Sequence, residues 1–321
     1  MGKRDCGAWK LNEKEKNIFE NLWRQAHKVF NWKTHHQGKR GTARYRDGVR
    51  AFCKHLAIHY QSKNFKNISE KHLKSFVEES IRAGVSPATI KTDLAAVRKL
   101  HSLLPKTRYK LSRDNGKLRA EKRQTVGVDR AWRNSEALRA SNLAKSMGRK
   151  DVDWAIRCAR TMGLRIEEVT ALTRSQIREA LTNGYIHLTI TKGGIPRDVP
   201  LNPGAERVLR EMLTENEQEK IFIRHGRTHK QAMKSIQNWI GNHRELFAEN
   251  EHTQDTEYIK KMGINEERKN LTFHGLRHSY ARWQYEKSIE KGMTEKEARQ
   301  YVAEQLGHGR DEITRIYLEK K

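Results

Sequence analysis

The sequence predicts a mainly α-helical protein carrying one small antiparallel β-sheet and divided into two domains. Three observations point there. Apolar residues recur at helical spacing along much of the chain, as at Ile18, Phe19, Leu22, Ala26, Val29 and Phe30. Over 185–191, Ile186, Leu188 and Ile190 alternate with Tyr185, His187 and Thr189, the period-two pattern of a half-buried strand. Between these regions, residues 106–126 follow Pro105 with an Asn115-Gly116 turn and a run of lysines and arginines, the composition of a connector.

The first domain is expected over 1–105, with an N-terminal extension. Its first helix spans 12–33. Segment 33–50 is polar and basic around Gly38 and Gly41, and with Lys39, Arg40, Arg44 and Arg46 it reads as a loop suited to lie on phosphates. Helices are expected over 44–60 and 69–83, the latter opening at Ser69-x-x-His72. A further helix runs from Ser86-Pro87 to Leu103, because serine caps and proline is tolerated in a first turn. Lys91 and Arg98 on that helix are further candidate DNA contacts. Pro105 stops the helix, and the connector adds Lys106, Arg108, Lys110 and Arg113, which can track a phosphate backbone.

The second domain is expected over 127–321. Helices near 132–147 and 150–162 lead to Gly163 and a helix carrying Arg165. The strand from 185 ends at Lys192, Gly193-Gly194 turns, and Arg197 to Leu201 pairs back.

Composition narrows the partner. The 321 residues hold 65 Lys+Arg against 39 Asp+Glu, a net charge of +26 and a pI near 10.1. Residues 1–120 carry 28 basic and 10 acidic residues, so the front part holds +18 of the excess. Such a surface seeks a polyanion, DNA being the commonest, with strong salt dependence. Two helical and α+β domains joined by a basic connector thus read as a DNA clamp. Cys6, Cys53 and Cys158 are isolated, which argues against a disulfide framework or a zinc site. No long apolar run or signal-peptide core occurs, so a cytoplasmic protein without membrane attachment is expected.

The chemistry concentrates near the C-terminus. His274-Gly-Leu-Arg277, Leu306-Gly307-His308 and Tyr317, with Arg165 and Lys192 upstream, can surround one DNA phosphate with cationic donors and present a phenol to attack it. On one straight helix His308 and Tyr317 would stand about 13 Å apart on roughly opposite faces. Gly309 permits a turn and Asp311 can cap a new helix that returns Tyr317 to the cleft. His274 and Arg277, three apart, project from one helix face, and Thr272 can cap that helix. Glu168, one helical turn beyond Arg165, can orient its guanidinium. In the hairpin, Lys192 is favoured as proton donor over Arg197, because arginine stays protonated. His274 and His278 stand four apart, but no third ligand accompanies them, so no metal is expected. Tyr280, Tyr285 and Tyr301 are rival phenols in amphipathic helical stretches where tyrosine packs.

Gly163-Leu-Arg165-Ile-Glu-Glu168, Lys192 in a strand-turn-strand, His274-x-x-Arg277, Leu306-Gly307-His308 and Tyr317 resemble the tyrosine recombinases, the group of phage and mobile-element integrases and Xer recombinases. The resemblance spans most of 150–318 and, more weakly, about 45–105. It implies a helical core-binding domain ahead of an α+β catalytic domain. It implies a DNA breaking and joining enzyme without cofactor, metal or ATP, acting as a homo-tetramer on double-stranded DNA at specific sites. Arg165, Lys192, His274, Arg277, His308 and Tyr317 are then the catalytic set. Only Leu318-Glu-Lys-Lys321 follows the nucleophile, a stretch near 243–270 is enlarged, and residues 1–40 have no placed counterpart. A tyrosine-type topoisomerase and a non-catalytic DNA-binding protein are the alternative classes.

Overall fold

The computed structural model describes residues 11–30, 39–118, 130–191, 196–249 and 271–307. The chain divides into two compact units, Met1–Gln124 and Thr125–Lys321.

In the first unit, α1 (Glu13–Phe30) buries Ile18, Leu22, Ala26 and Phe30, a stripe at every fourth residue. Asn12 and Glu15 close its start reciprocally, with both hydrogen bonds at 2.9 Å. The second helix, α2 (Lys39–His59), begins earlier than the sequence suggests. The basic segment expected as a loop over 33–50 is helical from Lys39 onward. Within it, a Cβ on Gly48 would lie 2.7 Å from Asp93 Oδ1, so that glycine allows a close helix crossing. Helices α3 (Glu70–Arg82) and α4 (Pro87–Ser102) start where expected, with Ser69 and Ser86 at their N-caps and Pro87 in the first turn of α4. Phe52, Leu56, Leu73, Phe76, Leu94 and Leu100 fill the shared core.

The segment after Pro105 is not a free connector through Leu118. Leu118 is buried, Leu103, Leu104 and Leu111 pack against the same core, and the Arg108 amide donates to the Lys66 carbonyl at 3.0 Å. Irregularly spaced leucines anchor it to the first unit's core, which its charges, read as those of a linker along a phosphate backbone, do not announce. The remainder of that expectation, 119–126, lies outside the described residues.

The second unit packs α5 (Asn134–Ser146) on α6 (Lys150–Met162), followed by α7 (Ile166–Thr170) and α8 (Arg174–Asn183). A two-stranded antiparallel sheet pairs β1 (Tyr185–Leu188) with β2 (Arg197–Pro200), Leu188 opposite Arg197. Ile186, Leu188 and Val199 face the core. The strand expected to reach 191 ends at Leu188, and Ile190 beyond it is 57 % exposed. Helices α9 (Pro203–Glu215), α10 (His229–Phe247), α11 (Phe273–Glu290) and α12 (Glu295–Gln305) complete the described fold. Tyr280 and Ala281 of α11 pack with Val302 of α12 and with Leu306. Among the described residues no helix is long and apolar enough to cross a membrane.

Candidate active site

Four segments distant in sequence meet around one carboxylate. Helix α6 stops at Gly163, whose φ of +63° lies in the left-handed region open to glycine. Leu164 then enters the core, and Arg165 becomes the N-cap of α7. Arg165, expected within a helix, precedes one instead. The arrangement turns Glu168, third residue of α7, back on Arg165: Oε2 accepts the Arg165 amide at 2.7 Å and Oε1 accepts Arg165 Nη1 at 2.8 Å.

Glu168 is buried and carries a second arginine. Arg197, the first residue of β2, donates Nη1 to Oε1 at 2.7 Å and Nη2 to Oε2 at 2.8 Å, a bidentate pair. Arg277 of α11 is a third, with Nη1 at 3.9 Å from Oε2. Burial alone would raise the Glu168 carboxyl; the hydrogen bonds and charge of Arg197, then the Arg165 amide and Arg277, pull it down to about 2. Glu168 is therefore an anion throughout the neutral range.

The arginines also share a peptide oxygen. Arg277, 1 % exposed, donates Nη1 to the Gly163 carbonyl and Nη2 to the Leu306 carbonyl. Arg165 Nη2 reaches the same Leu306 oxygen at 3.4 Å. Leu306 and Gly307 follow α12, so the end of that helix is tied to both guanidiniums. The Gly307 φ is +60°, and a Cβ there would stand 3.0 Å from Arg197 Cδ.

Helix α11 is set by its own glycine. A Cβ on Gly275 would lie 2.1 Å from the Arg130 carbonyl and 2.8 Å from Trp132, so only glycine lets the first turn of α11 seat there. Trp132 Nε1 donates to the Thr272 carbonyl at 2.9 Å. Thr272 occupies the N-cap position, but its hydroxyl makes no capping hydrogen bond, unlike the sequence expectation. His274 is exposed, while Arg277 is buried. The His278 ring is buried edge-on to His274, centroids 5.3 Å apart.

Of the expected catalytic residues, the described structure brings Arg165 and Arg277 together with Glu168 and places His274 at the surface of the same helix as Arg277. Lys192, His308 and Tyr317 lie outside the described residues. Among the rival phenols, Tyr280 is buried, and burial pushes its hydroxyl up to about 12 despite a hydrogen bond from Gln284. Tyr285 packs on the same cluster. The sequence offers Arg197 only as a rival proton donor; the hairpin register, which sets it opposite the buried Leu188, turns it inward.

In the first unit the candidate DNA contacts divide. Arg44 pairs with the fully buried Asp93 at 2.6 Å, and Arg98 donates to Asn115 at 2.7 Å, so both have structural duties. Arg46, Lys106, Arg108, Lys110 and Arg113 are exposed and Lys91 is half-buried; of the Lys39 and Arg40 side chains nothing is described.

The phage integrase family model matches residues 135–321, and that of the phage integrase N-terminal SAM-like domain matches 39–107. The chain belongs to the phage integrase family. This integrase-family chain is accordingly a tyrosine site-specific recombinase. No curated protein sequence matches it. Similar solved structures include a lambda integrase dimer bound to a COC′ core site, at 18% identity, covering 92% of this chain and 94% of that one with a TM-score of 0.64. XerH recombinase bound to a palindromic difH substrate is 19% identical, with 98% and 95% covered and a TM-score of 0.57. The Tn1549 transposon integrase with transposon right end DNA is 13% identical, with 94% and 95% covered and a TM-score of 0.58. The likeness spans both units and shows a shared fold.

Proposed function

We propose that this chain cleaves and rejoins DNA at specific sites through a 3′-phosphotyrosyl intermediate, using neither metal nor ATP. The observation that carries this reading is the convergence of Arg165 and Arg277 on Glu168 and on the Leu306 carbonyl, two residues before His308. Two guanidiniums held in this way suit the nonbridging oxygens of one phosphate.

The Tyr317 oxygen attacks the scissile phosphorus, its proton passing to a base, and the bond to the 5′ oxygen breaks. Lys192 gives the leaving oxygen a proton. Arg165, Arg277 and His308 stabilise the charge that develops on the phosphoryl oxygens, and His274, exposed at the start of α11, assists proton transfer or holds the phosphate. Bond energy is conserved in the phosphotyrosine. A 5′ hydroxyl from a partner duplex then reverses the step and completes strand exchange.

The similar structures named above are DNA complexes, and a lambda integrase tetramer bound to a Holliday junction is a further one. Their partners support double-stranded DNA as substrate and a homo-tetramer as the working form.

The test uses duplexes spanning the DNA that flanks the gene. Wild-type protein is expected to give a denaturant-resistant protein–DNA band. Tyr317→Phe should bind the same DNA and give none, while Tyr280→Phe should retain it. A band persisting in Tyr317→Phe would overturn the nucleophile.

A further inference from the structure

Arg197 is the least expected member of the arginine cluster, and its surroundings restrict what it can do. Its side chain is 8 % exposed. Both Nη atoms bind Glu168, and Nε has no hydrogen-bond partner among the described residues. Glu168 in turn binds the amide and guanidinium of Arg165 and stands 3.9 Å from Arg277. Anything Arg197 does beyond packing therefore passes through that carboxylate. Packing is itself part of the role, because Gly307 presses on the Arg197 stem, with a Cβ at that position 3.0 Å from Cδ.

Charge gives the arrangement its meaning. Two arginines sharing Glu168 would leave one net positive charge; three leave two. A phosphodiester carries one negative charge, and the pentacoordinate species formed on nucleophilic attack carries two on its nonbridging oxygens. An arginine–glutamate cluster of net charge two at the nonbridging oxygens matches the second state better than the first, the condition for accelerating chemistry rather than merely binding substrate. Without Arg197, the carboxylate would neutralise more of Arg165 and lose half of its hydrogen bonds.

We propose that Arg197 is a positioning residue for strand cleavage, which clasps Glu168 so that Arg165 and Arg277 keep their full charge and orientation toward the scissile phosphate. The role rests on the recombinase reading above and deepens it. Arg197 touches no reacting atom, and it is not the proton donor to the leaving oxygen.

The experiment compares three duplexes at the phosphate where the wild-type chain forms its adduct: an ordinary phosphodiester, a methylphosphonate and a 5′-bridging phosphorothiolate. The methylphosphonate replaces one nonbridging oxygen by a neutral methyl, so its pentacoordinate state carries one charge less. Single-turnover cleavage by Arg197→Ala and Arg197→Lys is measured beside DNA affinity and a thermal melt. On the phosphodiester, Arg197→Ala is expected to be about 10- to 100-fold slower, below the loss for a direct oxyanion donor, with DNA affinity unchanged. Arg197→Lys, which reaches one carboxylate oxygen instead of two, should lie between. On the methylphosphonate the Arg197→Ala loss should shrink to less than about 3-fold, since one lost charge meets one missing charge. The bridging sulfur should restore nothing.

Equal losses on all three duplexes would make Arg197 merely structural, as would failure of both variants to fold. Rescue by the bridging sulfur would make it the proton donor, and an unchanged rate would remove it from the site; each overturns the proposal. No wild-type adduct at any phosphate would instead defeat the recombinase reading and this role with it. If Arg197→Ala alone fails to fold, Arg197→Lys carries the same comparison.

Discussion

Gly163 and Tyr280 lie in direct contact: a Cβ on Gly163 would stand 2.4 Å from Tyr280 Cδ1. The same glycine turns the chain at φ +63° and offers its carbonyl to Arg277. Gly163→Ala therefore meets two penalties, a left-handed backbone that costs an L-residue roughly 1–2 kcal/mol and an overpacked contact worth about 1–3 kcal/mol. Urea denaturation should show a loss of more than about 2 kcal/mol, and adduct formation should fall with it because Arg277 loses its anchor. An unchanged midpoint would mean that neither the left-handed turn nor the Tyr280 ring resists an added methyl at position 163.

Glu168→Gln should be among the most damaging single-atom changes in the molecule. It leaves three guanidiniums around a buried site without a compensating anion, and breaking such a pair by removing one partner costs about 3–5 kcal/mol. The effect depends on pH with a defined sign. Because the folded carboxyl sits at about 2, below its ordinary value, the unfolded chain takes up the proton first. The stabilisation is complete above about 4.5 and disappears as pH falls through about 2. Chemical denaturation of wild type and variant should draw together as pH falls from about 4.5, converge only near pH 2, and differ most near neutrality.

A second titration belongs to the first unit. His55 is fully buried, with Nδ1 2.6 Å from Glu79, whose same oxygen lies 2.8 Å from His59 Nε2. Burial lowers its pKa to about 4, against an opposing pull from Glu79. A histidine kept neutral in the folded chain contributes stability that is complete above about 6.5 and lost as pH drops toward 4. The full-length chain should lose on the order of 3 kcal/mol at most across that window. His55→Phe should flatten this part of the stability profile; a profile as steep as wild type would assign the proton uptake elsewhere.

The leaving-group proton can be tested on Lys192. A DNA 5′ alkoxide needs a proton to depart, whereas a thiolate, with a parent thiol pKa near 8.5, leaves without one. Lys192→Ala should cleave ordinary DNA very slowly and recover on DNA with a bridging 5′ sulfur. Arg165→Ala and Arg277→Ala should recover much less, since their lost contacts are with oxygens that the sulfur does not replace. Absence of rescue in Lys192→Ala would move the acid to another residue.

Helix starts were legible because caps act locally: Ser69, Ser86 and Pro87 mark them within one turn. The Arg165–Glu168 pair was legible for the same reason, lying three residues apart. Arg197 was not, because its partner is 29 residues away and nothing near it in sequence announces a carboxylate. The anchoring of 106–118 is not legible, because Leu111 and Leu118 are scattered among many charges and their packing depends on a core built from other helices. Gly48 and Gly275 suggest flexibility when read singly; each marks a place where another chain segment comes too near for a side chain.

Leu306 serves the arginine pair with its peptide oxygen alone. Replacing its side chain leaves that acceptor in place, so a substitution scan at 306 reports packing and stays blind to the contact. An ester in place of the 306–307 peptide bond would weaken the acceptor without altering any side chain. What is inherited at such a position is the path of the main chain, and the glycine that follows, bent at φ +60° against Arg197, is where the genetic text records it.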